Sequence, residues 1–369
     1  GGFGVYNVIV LGSVFYSLTG TLQADARQFN NFDAQGKPTV VWPQISPGGN
    51  GIVSDSLGNA YFGTANAIHF KDPYSFQYNL SVERAINQST GVRLSYIGQR
   101  TYSLVWAENY NQSYYSTQYY VEQPLSRRPF PNWGTVNTRD TGASAFYNAA
   151  QVELNHRLRG GLQLNTTYTY ANNMADNQGP TASGFAGETA GGRTMDTYNR
   201  HAEYGPVYAT RRNRWLTTAV YELPFGRGRQ FGGNTNRFVD TLFGGWRLSS
   251  IFLWQSGPFM TPYFSSGDPS GTGSGFERPQ HPDRISDGNL SDPTRDGWID
   301  KSAFVCPGTP NWKAGSPCTI GVTPGEDLAP IGRFGNSGLG VIKGPGTVNL
   351  SMGLGKTFSI TERVRLKLE

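Results

Sequence analysis

YNAAQVELNHRLRGGLQLNTTYTY, residues 147–170, decides the fold. On its left arm Ala150, Val152 and Leu154 share one parity, and Gln151, Glu153, Asn155 and Arg157 share the other. On the right arm Leu162, Leu164, Tyr168 and Tyr170 stand opposite Gln163, Asn165, Thr167 and Thr169. Successive side chains leave a strand on opposite faces, so a period of two predicts β-structure. Between the arms, Leu158-Arg159-Gly160-Gly161 supplies glycines for the positive φ of a tight turn. The stretch predicts an antiparallel hairpin with one apolar and one polar face. Each arm runs about ten residues, the length of a tilted strand that crosses a bilayer.

The same design recurs on both sides. Upstream, Phe76, Tyr78, Leu80 and Val82 alternate with Gln77, Asn79, Ser81 and Glu83; after a link at 87–91, Val92, Leu94 and Tyr96 alternate with Arg93 and Ser95. Downstream, strands are predicted at about 214–223, then where Trp246, Leu248, Phe252 and Trp254 share a face. Two more follow where Val348, Leu350, Met352 and Leu354, and then Val364, Leu366 and Leu368, do so. A weaker strand over 5–17 brings the total to about nine. Between them, long irregular connections (about 18–75, 101–145, 172–212 and 257–345) alternate with short or medium ones. Long structureless loops are uncommon in a compact soluble domain. Short periplasmic turns and long extracellular loops are the habit of outer-membrane barrels. The predicted fold is all-β: an antiparallel up-and-down transmembrane β-barrel portion of about nine strands, in one domain over 1–369.

Charge placement agrees. Glu83, Arg93, Glu153, Arg157, Glu222, Arg247, Arg365 and Lys367 all fall on the polar parity. A Lys or Arg facing lipid at midplane costs ~2–4 kcal/mol. The two exceptions, Arg84 and Lys356, lie near short turns, where long cations snorkel to the headgroups. Tyr168, Tyr170, Trp246, Trp254 and Phe358 lie near strand ends, where membrane-interface aromatics belong. The competing architecture is a soluble sandwich, in which the apolar face is a buried core.

Composition sets the outer bounds. The 369 residues are 37% hydrophobic and 15% charged, with 48 Gly and 22 Pro punctuating many turns. A mean hydropathy of -0.46 does not exclude a barrel, whose strands are only half apolar. No apolar run approaches the ~20 residues of a membrane helix. The net charge of +5 is scattered, without a basic block interleaved with aromatics, so nucleic acid is not an expected partner. The chain starts at Gly1 and reads as a fragment, so the lack of a visible leader says nothing of location.

Motifs for chemistry are few. Cys306 and Cys318 can close a small loop as a disulfide, or can stay as two thiols. His69, His156, His201 and His281 are far apart, with no triad or metal spacing. Gly355-Lys356-Thr357 mimics the end of a P-loop but lacks the leading glycine. Asp283, Asp287, Asp292, Asp296 and Asp300 (the 283–300 loop) suggest calcium at most weakly, because their spacing fits no EF-hand; solvated loop acids are the plainer reading. Otherwise no cofactor, metal or catalytic residue is expected. Tyr110, Tyr114, Tyr115, Tyr119 and Tyr120 form an aromatic loop suited to a ligand surface or to packing on other loops.

Several segments carry a family resemblance. SFQYNLSVERAI, STGVRLSYIG, FYNAAQVELNHRLRGGLQLNTTYTYANNMAD, RNRWLTTAVYELPFGRGRQF and GGWRLSSIFLWQSGPF resemble the barrel of TonB-dependent outer-membrane receptors, most closely the Oar-like group. The final GRFGNSGLGVIKGPGTVNLSMGLGKTFSITERVRLKLE resembles the approach to that barrel's C-terminus. The resemblance runs from about residue 73 onward and implies a barrel of about twenty-two strands closed around a plug. Here about nine strands are seen, with no plug, TonB box or final aromatic-terminated strand. The resemblance therefore implies the C-terminal part of a receptor in the bacterial outer membrane. It would take up a large or scarce nutrient, contact the TonB complex through a plug upstream, and sit in outer-membrane lipid. An adhesin or structural barrel without transport is the alternative, and a secreted soluble β-protein a second.

Overall fold

A computed structural model describes residues 1–7, 28–29, 34–38, 52–54, 60–120, 127–131, 133–176, 194–263, 267–273, 280–309, 311–313, 316–321, 324–325, 328–359 and 365–368. Its main feature is one sheet of eleven described strands, nine of them in sequential antiparallel order and two short ones paired beside that path. The nine are β1 (Gly2–Asn7), β2 (Tyr74–Asn87), β3 (Thr90–Asn109), β4 (Trp133–Arg159), β5 (Leu162–Ala175), β6 (Asn213–Glu222), β7 (Trp246–Gln255), β8 (Thr347–Ser359) and β9 (Arg365–Leu368). The opening hairpin is β4 and β5. Its turn has Gly160 and Gly161 at φ of 62° and 85°, as the sequence requires. Gly161 also lies against β6: a Cβ there would meet the Glu222 carbonyl at 2.6 Å.

Register lines up the apolar parity across the sheet. One row runs Val82, Leu94, Val152, Tyr168, Trp215, Trp254 and Val348 over seven adjacent strands. The neighbouring row on the opposite face runs Glu83, Arg93, Glu153, Thr167, Leu216, Leu253 and Asn349. Arg93 ties the polar face together, reaching Glu83 at 3.0 Å and Glu153 at 3.5 Å. On the apolar face Val348 and Met352 are 69% and 60% exposed, and Val152 is also open. Among the described residues no second sheet layer covers this face, as the core of a soluble sandwich would require.

The strands outrun the expected loop boundaries. The connection expected at 101–145 narrows to 110–132, because β3 continues to Asn109 and β4 begins at Trp133. A short strand, Ala60–Asn66, lies inside the expected 18–75 loop and runs parallel to the start of β4. Alternation fails there for two reasons. Ser103 has a φ of 55° and the β3–β4 register shifts at Thr101/Leu104 and Leu104/Trp106, which resets parity. Loops also bury side chains such as Trp106 and Ala143 there. β5 likewise runs to Ala175, past the expected loop start at 172. Of the strand expected at 5–17, residues 5–7 belong to β1; 8–17 lie outside the described residues.

The medium link at 223–245 holds an unexpected α-helix, α1 (Arg237–Phe243), whose N-cap Asn236 side chain accepts from the Val239 N–H. Lys356, an exception to the charge pattern, caps this helix instead of snorkelling. Its ammonium donates to the Leu242 carbonyl at 2.6 Å and the Gly244 carbonyl at 3.1 Å.

Candidate functional site: a cavity in the long-loop cap

Most fully buried apolar residues sit in the long loops and not in the sheet. Met195, Phe304, Val305, Cys306, Cys318, Ile320, Leu339 and Ile342 are all under a tenth exposed. Cys306 and Cys318 are bonded, with Ile320, Trp312 and Ile331 packed around them. Asp283 accepts both Arg333 nitrogens at 2.7 Å, together with the Gly308 and Asn336 N–H groups. Burial pushes its carboxyl up, but Arg333 and these N–H donors outweigh that and hold it below the usual range. Asp268 is buried among Gln280, Ser270 and the Gly273 N–H; there burial wins and the carboxyl is pushed up. The cap is a folded layer with its own core and polar network.

The acidic run does not converge. Asp283 belongs to Arg333, Asp287 to Arg284 and Asn289, and Asp300 caps the short 3-10 turn Lys301–Ala303. Among the described residues no three carboxylates or other ligating groups gather, so the weak calcium reading finds no cluster.

The five loop tyrosines take different places. Tyr115 donates to Asp196 at 2.6 Å and meets the Phe334 ring edge-on at 5.7 Å. Its hydroxyl is pushed up by burial and by that bond. Tyr114 stacks on Tyr198 at 5.2 Å. Arg128 lies over Tyr120, and Arg127 donates to the Tyr119 carbonyl. Tyr110 stays partly exposed beside Glu108. Only Tyr115 of the five lines the cavity that these loops enclose.

That cavity is about 490 Å³ and draws on three loops, through Tyr115, Asp196 to Tyr204, and His281 with 333–338. His281 is 1% exposed, and its Nδ1 lies 2.7 Å from the Ser337 carbonyl. A carbonyl only accepts, so Nδ1 is the donor of that bond. Nε2 has no partner among the described residues. His201 stacks on Tyr204 at 5.8 Å nearby. Arg333 lines the wall with its charge already matched by Asp283. Aromatic walls and a neutralised Arg333 charge suit holding a ligand. Spacing could not reveal this site, because His201 and His281 stand 80 positions apart and meet only through folding.

Comparison places this geometry. The whole chain, residues 1–369, matches the family described as an outer membrane beta barrel domain. The chain belongs to that family. The nine-strand sheet is therefore a transmembrane barrel wall in the bacterial outer membrane, and its exposed apolar face is the lipid face. The family is defined by its barrel and not by a reaction, and membership points to a non-enzymatic protein. A search of curated proteins finds no match. Among solved structures, the outer membrane transporter YddB from Escherichia coli aligns at a TM-score of 0.33 and 7% identity, over 60% of this chain and 25% of that one. The barrel chain thus spans about a quarter of that transporter's length, and so distant a likeness carries no argument.

On the lipid face, Tyr168, Tyr170 and Trp254 lie toward the long-loop end. Trp246 and Phe358 lie at the short-turn end, where both rings flank Lys356 at 4.5 and 5.1 Å. A further aromatic cluster of Tyr74, Phe76, Tyr102 and Phe146, unremarked in the sequence pattern, continues the long-loop level across β2 to β4.

Proposed function

We propose that this barrel is part of a TonB-dependent uptake receptor whose extracellular loops capture a nutrient and deliver it to the lumen. The observation that carries the reading is the cap: long loops on one end of a membrane wall fold into a disulfide-closed layer around a cavity of about 490 Å³. Tyr115, His201, Tyr204 and Phe334 give that space an aromatic lining of the kind that sugars and peptide side chains pack on. The lining favours a saccharide or a peptide over an anionic chelate, because Arg333 is already engaged by Asp283. Energy for uptake would come through TonB acting on a plug. The aromatics at the two strand ends serve as interface girdles.

The test is import in cells carrying the full reading frame. Labelled oligosaccharide and peptide pools should accumulate in TonB-positive cells and stay at the surface in TonB-deleted ones. Tyr115→Ala should weaken surface binding about tenfold, as loss of an aromatic anchor does. An adhesin would bind equally in both strains and import in neither, which would defeat the transport reading.

A further inference from the structure

We propose that the periplasmic link between β6 and β7 is a membrane-interface element, with α1 lying among phospholipid acyl chains of the inner leaflet. Residues 224–243 expose five large apolar side chains: Phe225, Phe231, Phe238, Leu242 and Phe243. Phe238 is 73% exposed and Phe243 62%. On a helix of 3.6 residues per turn, Phe238, Val239, Leu242 and Phe243 share one arc, while Asp240 points the other way and accepts from the Arg227 N–H.

The occupant follows from continuity with the lipid face. The last turn of α1 is fastened to that face by two hydrogen bonds onto the Leu242 carbonyl, from Trp246 Nε1 at 3.0 Å and Lys356 Nζ at 2.6 Å. A groove of about 350 Å³ lies between helix and wall, bounded by Leu242, Trp246, Leu354, Lys356, Phe358 and Leu368. Leu354 and Leu368 stand on the lipid-facing parity, so the groove opens directly off the hydrocarbon surface. The link is at the short-turn end by strand parity and by contact, since the Glu222 N–H donates to the Gly161 carbonyl at 2.7 Å. Exposed Arg227 and Arg229 lie in the same link, Arg229 paired with Glu222 at 2.9 Å. An amphipathic helix with an apolar face and cations beside it lies in a membrane interface plane. The sequence showed only a Gly/Arg-rich connection, because a seven-residue helix is too short for its period to stand out.

Single cysteines at Phe238, Leu242 or Phe243 carry a nitroxide in the protein reconstituted in phosphatidylethanolamine–phosphatidylglycerol vesicles. The native disulfide leaves no competing thiol among the described residues. Leu350→Cys serves as the lipid reference and Asp296→Cys, exposed in the long-loop cap, as the aqueous one, and heat-modified gel mobility confirms that each variant has folded. Labels at 238, 242 and 243 should relax several-fold more with oxygen than with a water-soluble nickel chelate, as at 350. A preference for the nickel chelate, as at 296, would overturn the proposal. Shielding from both reagents would also overturn it, since protein would then cover the helix. Neither result bears on import, which is read independently.

Discussion

Glu108 lies on β3 beyond the ten or so residues that cross the membrane, where it is 4% exposed and stands opposite Thr138 on β4. Its Oε1 has no partner among the described residues. Burial first, then the nearby Asp140 carboxylate, push its carboxyl up to about 7, against the opposing pull of Tyr110 and Arg200. The ordinary value is ~4.3. Between those two values the unfolded chain releases its proton while the folded chain keeps it. Stability therefore falls as pH rises through that window and levels off above it. Glu108→Gln should abolish this slope and raise stability at pH 8 by on the order of 2 kcal/mol. Urea midpoints of both proteins at pH 5 and 8 would check this, and an unchanged slope in the variant would refute it. Such residues are the least legible in the sequence. Tyr115 was found because tyrosines cluster there, but His281, Asp196 and Arg333 carry no local signal. Lys356 stood out as a charge on the wrong parity, yet its partners, the C-terminal carbonyls of α1, could not be read from spacing.

Period-two segments were legible wherever one face meets lipid and the other water, since that boundary alone enforces alternation. The register of β2 to β8 keeps every such assignment, from Val82 to Val348. Where strands leave the membrane the boundary vanishes, and bulges such as that at Ser103 erase the pattern; β3 and β4 were therefore underestimated. The two faces of β8 offer a direct comparison. Leu350 pairs with Phe252 on the lipid face, and its neighbour Ser351 faces the other way. Leu350→Arg should cost ~2–4 kcal/mol in a bilayer, whereas Ser351→Arg should stay near ~0.5 kcal/mol. Urea titration of vesicle-bound protein, read by heat-modified mobility, gives both values, and equal costs would mean that the faces are misassigned. The cap follows different rules. Its disulfide spans a separation of 12 residues, for which chain-entropy arguments give ~3 kcal/mol. Reduction should expose residues around 304–331 to proteolysis while leaving the membrane strands protected. Cleavage at equal rates with and without reductant would show that the cap holds without the bond.

The sheet as a whole has an energetic problem at its two sides. β1 pairs only with β2 and β9 only with β8, and among the described residues β1 and β9 do not pair with each other. In an antiparallel strand roughly every second residue turns both its N–H and its C=O toward each neighbour. The six residues of β1 thus present about three unmatched donor–acceptor sets, and β9 about two. Within hydrocarbon each unmatched group costs several kcal/mol, which is why membrane sheets close on themselves. Edges left unpaired in this way are satisfied when further strands pair with them. In the 369-residue chain produced alone, the available strands are those of further copies. It should therefore associate edge to edge in detergent and in vesicles, and planar-bilayer recordings should show no uniform conductance step. Light scattering coupled to size-exclusion chromatography reports the first outcome and single-channel recording the second. A monodisperse monomer with one reproducible conductance would mean that these nine strands close into a pore unaided, contrary to the pairing seen here.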